Sequence, residues 1–468
     1  MQREKFGSRL GFLLISAGCA IGLGNVYRFP IITGTYGGGF FVLIYLLFLI
    51  LLGLPAMTAE LSVGRASQRS IASSFEALEK PGQKWHWMKY LGISGNYLLM
   101  MFYTIISGWM IIYFIQYLTG SIFDVTTGIT DTAVAAEQLS AHFGSIVTNL
   151  PLVFCTTLAV IVICFGICSL GLQQGVEKIT KIMMVVLFAL MLALGIYCCT
   201  LDGALDGIRF YLVPSLTKLK EAGIGTVVSA AMGQAFFTLS VGIGSIAIFG
   251  SYINKDRRLL GEAATIISLD TSVALLSGFI VFPACFTFNG GQTADAGSVG
   301  ASFLFTTLSG IFNAMPFGRI IGTLFFLFMI FAAFSTVIAV FENITSFWLE
   351  LTKMNRKTIA AVNIVLMILL TLPAILGFSV WDFVQIGGKG IMDLEDFIIS
   401  NNLLPLGALA YIVFCSYNKI GWGWSNFITE ANTGDKGPKF PSWMRVYVKY
   451  ILPLIILIVW LSAYLPVL

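Results

Sequence analysis

The sequence predicts an all-α polytopic membrane protein of 11 transmembrane helices. Three observations carry that reading. Hydrophobic residues make up 57% of the 468-residue chain and charged residues only 11%, against about 25% charged in a soluble domain. The mean hydropathy is +0.89. The apolar residues also fall into long runs, and a span needs about 20 of them.

The runs begin near Leu10, Phe40, Tyr90, Val147, Ile182, Val227, Ala263, Ile320, Ile359, Phe397 and Val448. Alternate connections between them differ in charge. One set holds Arg65, Arg69, Lys80, Lys84 and Lys89, then Lys178 and Lys181, then Lys255, Arg257 and Arg258, then Lys353, Arg356 and Lys357, then Lys419, Lys436, Lys439 and Arg445. In the other set, residues 119–148 and 285–318 contain no Lys or Arg, and only 201–223 breaks the pattern, with Arg209, Lys218 and Lys220. Basic loops stay cytoplasmic. A multi-pass protein of the inner (plasma) membrane is expected, with a cytoplasmic N-terminus and, after an odd number of spans, Leu468 outside. The Arg3, Lys5 and Arg9 cluster precedes a run too long for a cleavable signal peptide and without a small-residue cleavage site.

Composition also narrows the chemistry. The eight cysteines lie in or beside apolar stretches without metal-ligand spacing, which reads as small buried hydrophobes. The two histidines, His86 and His142, fall in opposite connections, and no phosphate-binding loop is present. An enzyme is not expected, nor an organic cofactor. The net charge of +4 points to no nucleic-acid partner; the expected partners are the lipid bilayer and a small-molecule substrate. No ring of charge or carbonyl repeat marks a channel filter.

Two spans are anomalous. The first contains Ser16-Ala17-Gly18-Cys19-Ala20-Ile21-Gly22-Leu23-Gly24-Asn25, and the sixth contains Phe236-Phe237-Thr238-Leu239-Ser240-Val241-Gly242-Ile243-Gly244-Ser245. Each places glycines and polar residues at mid-bilayer, where Gly costs about 1 kcal/mol against Ala in a helix. Small residues for close helix packing would explain either motif alone. Their positions one and six suggest two inverted five-helix repeats with interrupted helices 1 and 6, at about residues 8–200 and 224–417, plus a final helix at about 443–466, all in one transporter domain over 1–468. Such paired interruptions point to a transporter site. Unwound helix frees carbonyls for a cation and N–H groups for a carboxylate. Asn25, Thr238, Ser335 and Thr336 offer hard oxygen ligands for sodium, and Asp270 is the most conspicuous acid within a span.

Longer stretches carry a resemblance: Arg9-Leu10-Gly11-Phe12, the run from Ala17 to Pro30, Gly37-Gly38-Gly39-Phe40-Phe41, Glu60-Leu61-Ser62-Val63-Gly64-Arg65, Gly233 to Ser240, and Phe331-Ala332-Ala333-Phe334-Ser335-Thr336. The chain resembles the neurotransmitter:sodium symporter family, in its short bacterial branch of eleven-span amino-acid transporters, from about residue 5 to the last span. The resemblance implies two sodium sites: one on the Ala20 carbonyl, Asn25, Thr238 and Asp270, completed by the substrate's carboxylate, and one on the Gly18, Ile21 and Ala332 carbonyls with the Ser335 and Thr336 hydroxyls. It places the substrate carboxylate against the Leu23 and Gly24 amides and Tyr103. The amine would meet carbonyls of Ala20, Phe237 and Thr238 and the Ser240 hydroxyl, and the side chain would face Leu99, Tyr103, Phe237, Ile243 and Val340. Cys19 stands where a family member has Asn, and Asp270 where Asn is usual. Arg28 with Asp396 resembles the family's extracellular gate, and Arg3 with Glu350 its cytoplasmic one, where Asp is commoner than Glu.

Two further expectations follow from the resemblance. Gly22 occupies the place where amine carriers have Asp, so the substrate should bring its own carboxylate: a neutral, hydrophobic α-amino acid. Asp270, with Tyr45, Gln234 and Thr238 as neighbours, would supply the anion that chloride supplies in many animal members, making sodium-coupled symport chloride-independent. A sodium-independent exchanger on the same broken-helix fold is the alternative, which the Ser335–Thr336 pair argues against.

Overall fold

The structure is a computed structural model that describes residues 6–129, 132–288, 302–462 and 464. Among the described residues the chain is almost wholly helical, with only isolated β-bridges. Among the described residues, eight helices are long and apolar enough to cross a membrane: Gly39–Ser67, Trp85–Thr119, Leu150–Ser169, Leu172–Cys199, Leu259–Phe288, Gly318–Leu351, Arg356–Leu376 and Ile391–Ser416. Two bent pairs, Arg9–Ala20 with Gly24–Thr35 and Leu216–Ala222 with Ile224–Leu239, bring the crossings to as many as 10. The last apolar helix, Tyr447–Ile451 running into Leu452–Ser462, stands where the eleventh span was expected. Spans are numbered below in this chain order.

Apolar runs locate most spans, and the exceptions are polar at one end. The tenth begins at Ile391, six residues before the expected Phe397, because its first turns carry Asp393, Glu395 and Asp396. The fifth begins at Leu172 rather than near Ile182, because Gln173, Gln174, Glu177 and Lys178 occupy its first turns. The sixth is entered through an 88° corner between Leu216–Ala222 and Ile224–Leu239.

Proline shapes several helices. Widened turns at Gly24–Arg28, Leu49–Gly53, Ile399–Leu403 and Tyr447–Ile451 each end two residues before a proline: Pro30, Pro55, Pro405 and Pro453. A proline ring lacks the N–H for the i→i−4 bond and pushes on the carbonyl four residues back. The preceding turn relaxes to longer-range bonds and the helix continues.

The eighth span, Gly318–Leu351, is buried from Phe325 to Phe347 at nearly every position and packs on the third, fifth, fourth and first spans. Outer spans instead show rows of exposed apolar residues at helical spacing: Leu43, Leu47 and Ile50 on the second, Ile182, Val185, Leu192 and Ile196 on the fifth, Val362, Val365 and Leu369 on the ninth. Water would penalise such continuous patches, whereas lipid matches them. Several charged side chains are held in ion pairs. Arg65, fully buried at the end of the second span, bonds Glu430 Oε1 at 2.6 Å and the Arg257 carbonyl at 2.5 Å. Glu262 pairs with Arg9 and Arg257.

Candidate functional site

The first span breaks after Ala20. Ile21 turns to an extended conformation, with ψ at 102°, and helix resumes over Gly24–Arg28. The two halves meet at 60°. The freed amides find side chains: Gly22 N–H donates to Asn25 Oδ1 at 3.1 Å, and Leu23 N–H donates to Tyr103 Oη of the third span at 3.0 Å. The sixth span breaks between Ile224–Leu239 and Ser245–Gly250. Ser240 there has φ at 49° and Gly242 at 117°, and a positive φ on a residue with a Cβ marks a strained backbone held by its surroundings.

A carboxylate holds this second break. Glu60 of the second span, fully buried, accepts from the N–H groups of Gly242, Ile246 and Ala247 at 2.7, 3.0 and 3.2 Å. Unwound backbone inside a bilayer needs such partners. Asn96 of the third span donates to the Ile243 carbonyl at 2.9 Å and accepts from Ser245 Oγ and Asn343 Nδ2. Sequence reasoning quoted the Glu60 motif without giving that acid a role, and did not single out Asn96 or Asn343. Their signal was present: a charge or amide inside an apolar span.

The candidate ion residues form two clusters at the first break, one with the seventh span and one with the eighth. In one, Asp270 of the seventh span is fully buried, its Oδ1 accepting from Asn25 Nδ2 at 2.8 Å and its Oδ2 from Thr238 Oγ1 at 3.1 Å. Gln234 Nε2 donates to the Gly24 carbonyl nearby. Asp270 has no ion pair with a basic side chain among the described residues. A carboxylate ionised in such a place demands a cation.

In the other cluster, Ser335 Oγ lies 3.1 Å from the Gly18 carbonyl and 2.9 Å from that of Ala332. Thr336 Oγ1 lies 3.1 Å from Gly18 O, 3.0 Å from Ile21 O and 3.4 Å from Ala332 O. Three carbonyls and two hydroxyls thus converge with only two protons to share. This oxygen-rich, formally neutral nest fits a hard monovalent cation, and all five of its predicted residues are together.

The substrate candidates fall into two groups, one lining a cavity and one buried. Leu23, Tyr103 and Phe237 line a cavity of about 420 Å³ together with Tyr27, Arg28 and Asp396. Phe237 packs against the second arm of the first span: Arg28 Cζ sits 4.0 Å from its ring centroid, and a Cβ on Gly24 would come within 2.7 Å of its edge. Cys19, Ala20, Leu99, Ile243 and Val340 do not line the cavity and are buried. Leu99 and Tyr103 share one face of the third span, and Thr336 and Val340 one face of the eighth. Gly22 has no space for a side chain, since a Cβ there would collide with Tyr103 Oη and lie 2.9 Å from Thr336 Oγ1.

Arg28 and Asp396 line the same cavity, but Arg28 lies over Phe237 while Asp396 Oδ1 accepts from Ser400 Oγ at 2.6 Å. Glu350, at the opposite end of the bundle, accepts from Ser70 N–H and Ser73 Oγ at 2.6 and 2.8 Å. Arg3 lies outside the described residues.

Comparison with known proteins places this architecture. The model of the sodium:neurotransmitter symporter family matches residues 3–126 and 134–466. The chain is 32% identical over 460 residues to the uncharacterized sodium-dependent transporter YhdH of Bacillus subtilis, covering 98% of this chain and 97% of that protein. It is 32% identical over 470 residues to an uncharacterized sodium-dependent transporter of Haemophilus influenzae, covering 98% of both. Among solved structures, MhsT in complex with L-phenylalanine superposes with a TM-score of 0.84 at 34% identity, over 98% of this chain and all of that one. With its broken first and sixth spans and its sequence matched from end to end, this chain is a member of the sodium:neurotransmitter symporter family, a multi-pass, sodium-dependent membrane transporter.

Proposed function

We propose that the protein couples sodium to the uptake of a neutral, hydrophobic α-amino acid by alternating access, without chloride. One observation carries the substrate class. At the break of the first span, the Leu23 amide and the Tyr103 hydroxyl meet over Gly22, where no side chain fits. This supports a site whose carboxylate arrives with the substrate. Leu99, Ile243 and Val340, all buried, would take an aliphatic or aromatic side chain, and a charged one would be buried without a partner. L-phenylalanine in the complex of the related MhsT is of the same class.

Sodium, as co-substrate, would bind at both clusters: on Ala20, Asn25, Thr238 and Asp270, and on Gly18, Ile21, Ala332, Ser335 and Thr336. The substrate amine would take carbonyls of Ala20, Phe237 and Thr238 and the Ser240 hydroxyl, with Cys19 beside them. Asp270 would neutralise the charge that sodium brings into a low-dielectric site. Phe237 and Tyr103 would close over the substrate, with Arg28 and Asp396 outside them. The alternation of basic loops supports an N-terminus in the cytoplasm and a C-terminus outside, in the inner membrane.

Competition tests the substrate class. Uptake of labelled amino acid into proteoliposomes should be inhibited by leucine, methionine, tyrosine or tryptophan and not by their decarboxylated amines. Equal potency of amine and amino acid would refute the carboxylate site.

A further inference from the structure

We propose that the basic end of the fifth span binds the headgroup of an anionic glycerophospholipid from the cytoplasmic leaflet. A cavity of about 560 Å³ opens there between the fifth span and the N-terminal segment that leads into the first span. Lys178 and Lys181 stand on its rim, Ile182, Val185 and Val186 form its apolar wall, and Gly7 borders it from the N-terminal side.

The local charges are sorted. Glu177 precedes the two lysines but turns inward, is 7% exposed, and accepts from Gly7 N–H, Ser8 N–H and Ser8 Oγ at 2.8, 3.1 and 2.9 Å. It is therefore committed to the N-terminal segment. Lys178 and Lys181 have no ion pair among the described residues. Three residues apart on a helix, they lie on one face and line the same cavity, where the neighbouring Glu177 is already bonded to the N-terminal segment.

The wall decides which anion. Ile182 and Val185, four and seven residues beyond Lys178, are 57% and 56% exposed, and the apolar row continues through Leu192 and Ile196 toward the opposite leaflet. Lys178 to Val185 spans roughly 10 Å of helix. Cations at the top of an unbroken apolar row complement a phosphate attached to acyl chains; a free phosphate would leave the wall unmatched. Basic pockets at the cytoplasmic ends of spans attract anionic headgroups in this way. The lipid would lie against the segment that Glu177 fastens, beside the start of the broken first span. The inference rests on the proposed orientation for its choice of leaflet.

Lipid binding can be measured apart from transport. The purified protein, in detergent with added phosphatidylglycerol or phosphatidylcholine, is analysed by native mass spectrometry. Retained phosphatidylglycerol should exceed phosphatidylcholine. In Lys178→Gln/Lys181→Gln it should fall roughly tenfold or more, and Lys178→Arg/Lys181→Arg should keep it, which excludes misfolding as the cause. Excess inorganic phosphate should not displace it. Unchanged phosphatidylglycerol in the glutamine variant would overturn the proposal, as would equal retention of phosphatidylcholine or displacement by phosphate. None of these readings changes if the substrate or the orientation is other than proposed.

Discussion

The two oxygen clusters at the first break share the first span yet differ in charge. Beside the eighth span, Ser335 and Thr336 meet three backbone carbonyls and no formal charge. Beside the seventh, Asn25 and Thr238 both donate to a buried carboxylate, Asp270. Neutral dipoles can hold a cation loosely enough to release it. A buried carboxylate without a basic partner is instead ionised most readily while a cation lies beside it, and supplies a negative charge from the protein itself. The pairing suggests a division of labour, in which one site carries the ion and the other also balances the charge.

The largest effect is expected at the neutral cluster. Replacing both Ser335 and Thr336 by Ala removes two ligands to a charged partner at about 1.5–3 kcal/mol each, so sodium affinity should fall roughly 100-fold or more. Sodium titration of uptake reads this, with membrane insertion checked separately. Uptake unchanged at limiting sodium would remove the cluster from the mechanism.

The charged cluster predicts a conditional loss. Wild-type uptake should be equal in chloride and in gluconate. Asp270→Ser should be inactive in gluconate and regain activity in chloride, because a mobile anion then replaces the fixed one. A wild type that stops in gluconate would end the charge-balance role of Asp270.

Tyr103→Phe removes only the hydroxyl that accepts from Leu23 N–H. Substrate affinity should weaken by roughly 1–3 kcal/mol, the cost of a buried partner left unpaired, with sodium affinity nearly unchanged. Equilibrium binding of labelled amino acid measures both. The same loss of sodium affinity as in the double alanine variant would mean that the substrate and ion sites are not separable here.

Much of this site was legible because unusual residues stand in unusual places. Glycines and polar groups in the first and sixth spans marked both breaks, and the matching stretch Ala332-Ala333-Phe334-Ser335-Thr336 marked the neutral cluster. The four prolines that follow widened turns were equally visible, though what they do to the preceding turn required coordinates. Glu60 was harder. Its role depends on three amides more than 180 positions away in sequence, and only folding brings an acid of the second span onto the gap in the sixth. Span limits failed where polar residues open a helix, as at Asp393 and Gln173. The expected gates were only partly placed: Arg28 and Asp396 share a cavity, but Arg28 stacks on an aromatic ring and Asp396 accepts a hydrogen bond from Ser400.

The most direct test of sodium-coupled amino-acid symport is uptake of radiolabelled leucine or phenylalanine by proteoliposomes of the purified protein. Interior and exterior should differ only in sodium. Coupling requires accumulation above equilibrium with sodium outside, its collapse when the gradient is dissipated, and no change when gluconate replaces chloride. Accumulation that persists without a sodium gradient, or exchange that needs only amino acid on both sides, would contradict it.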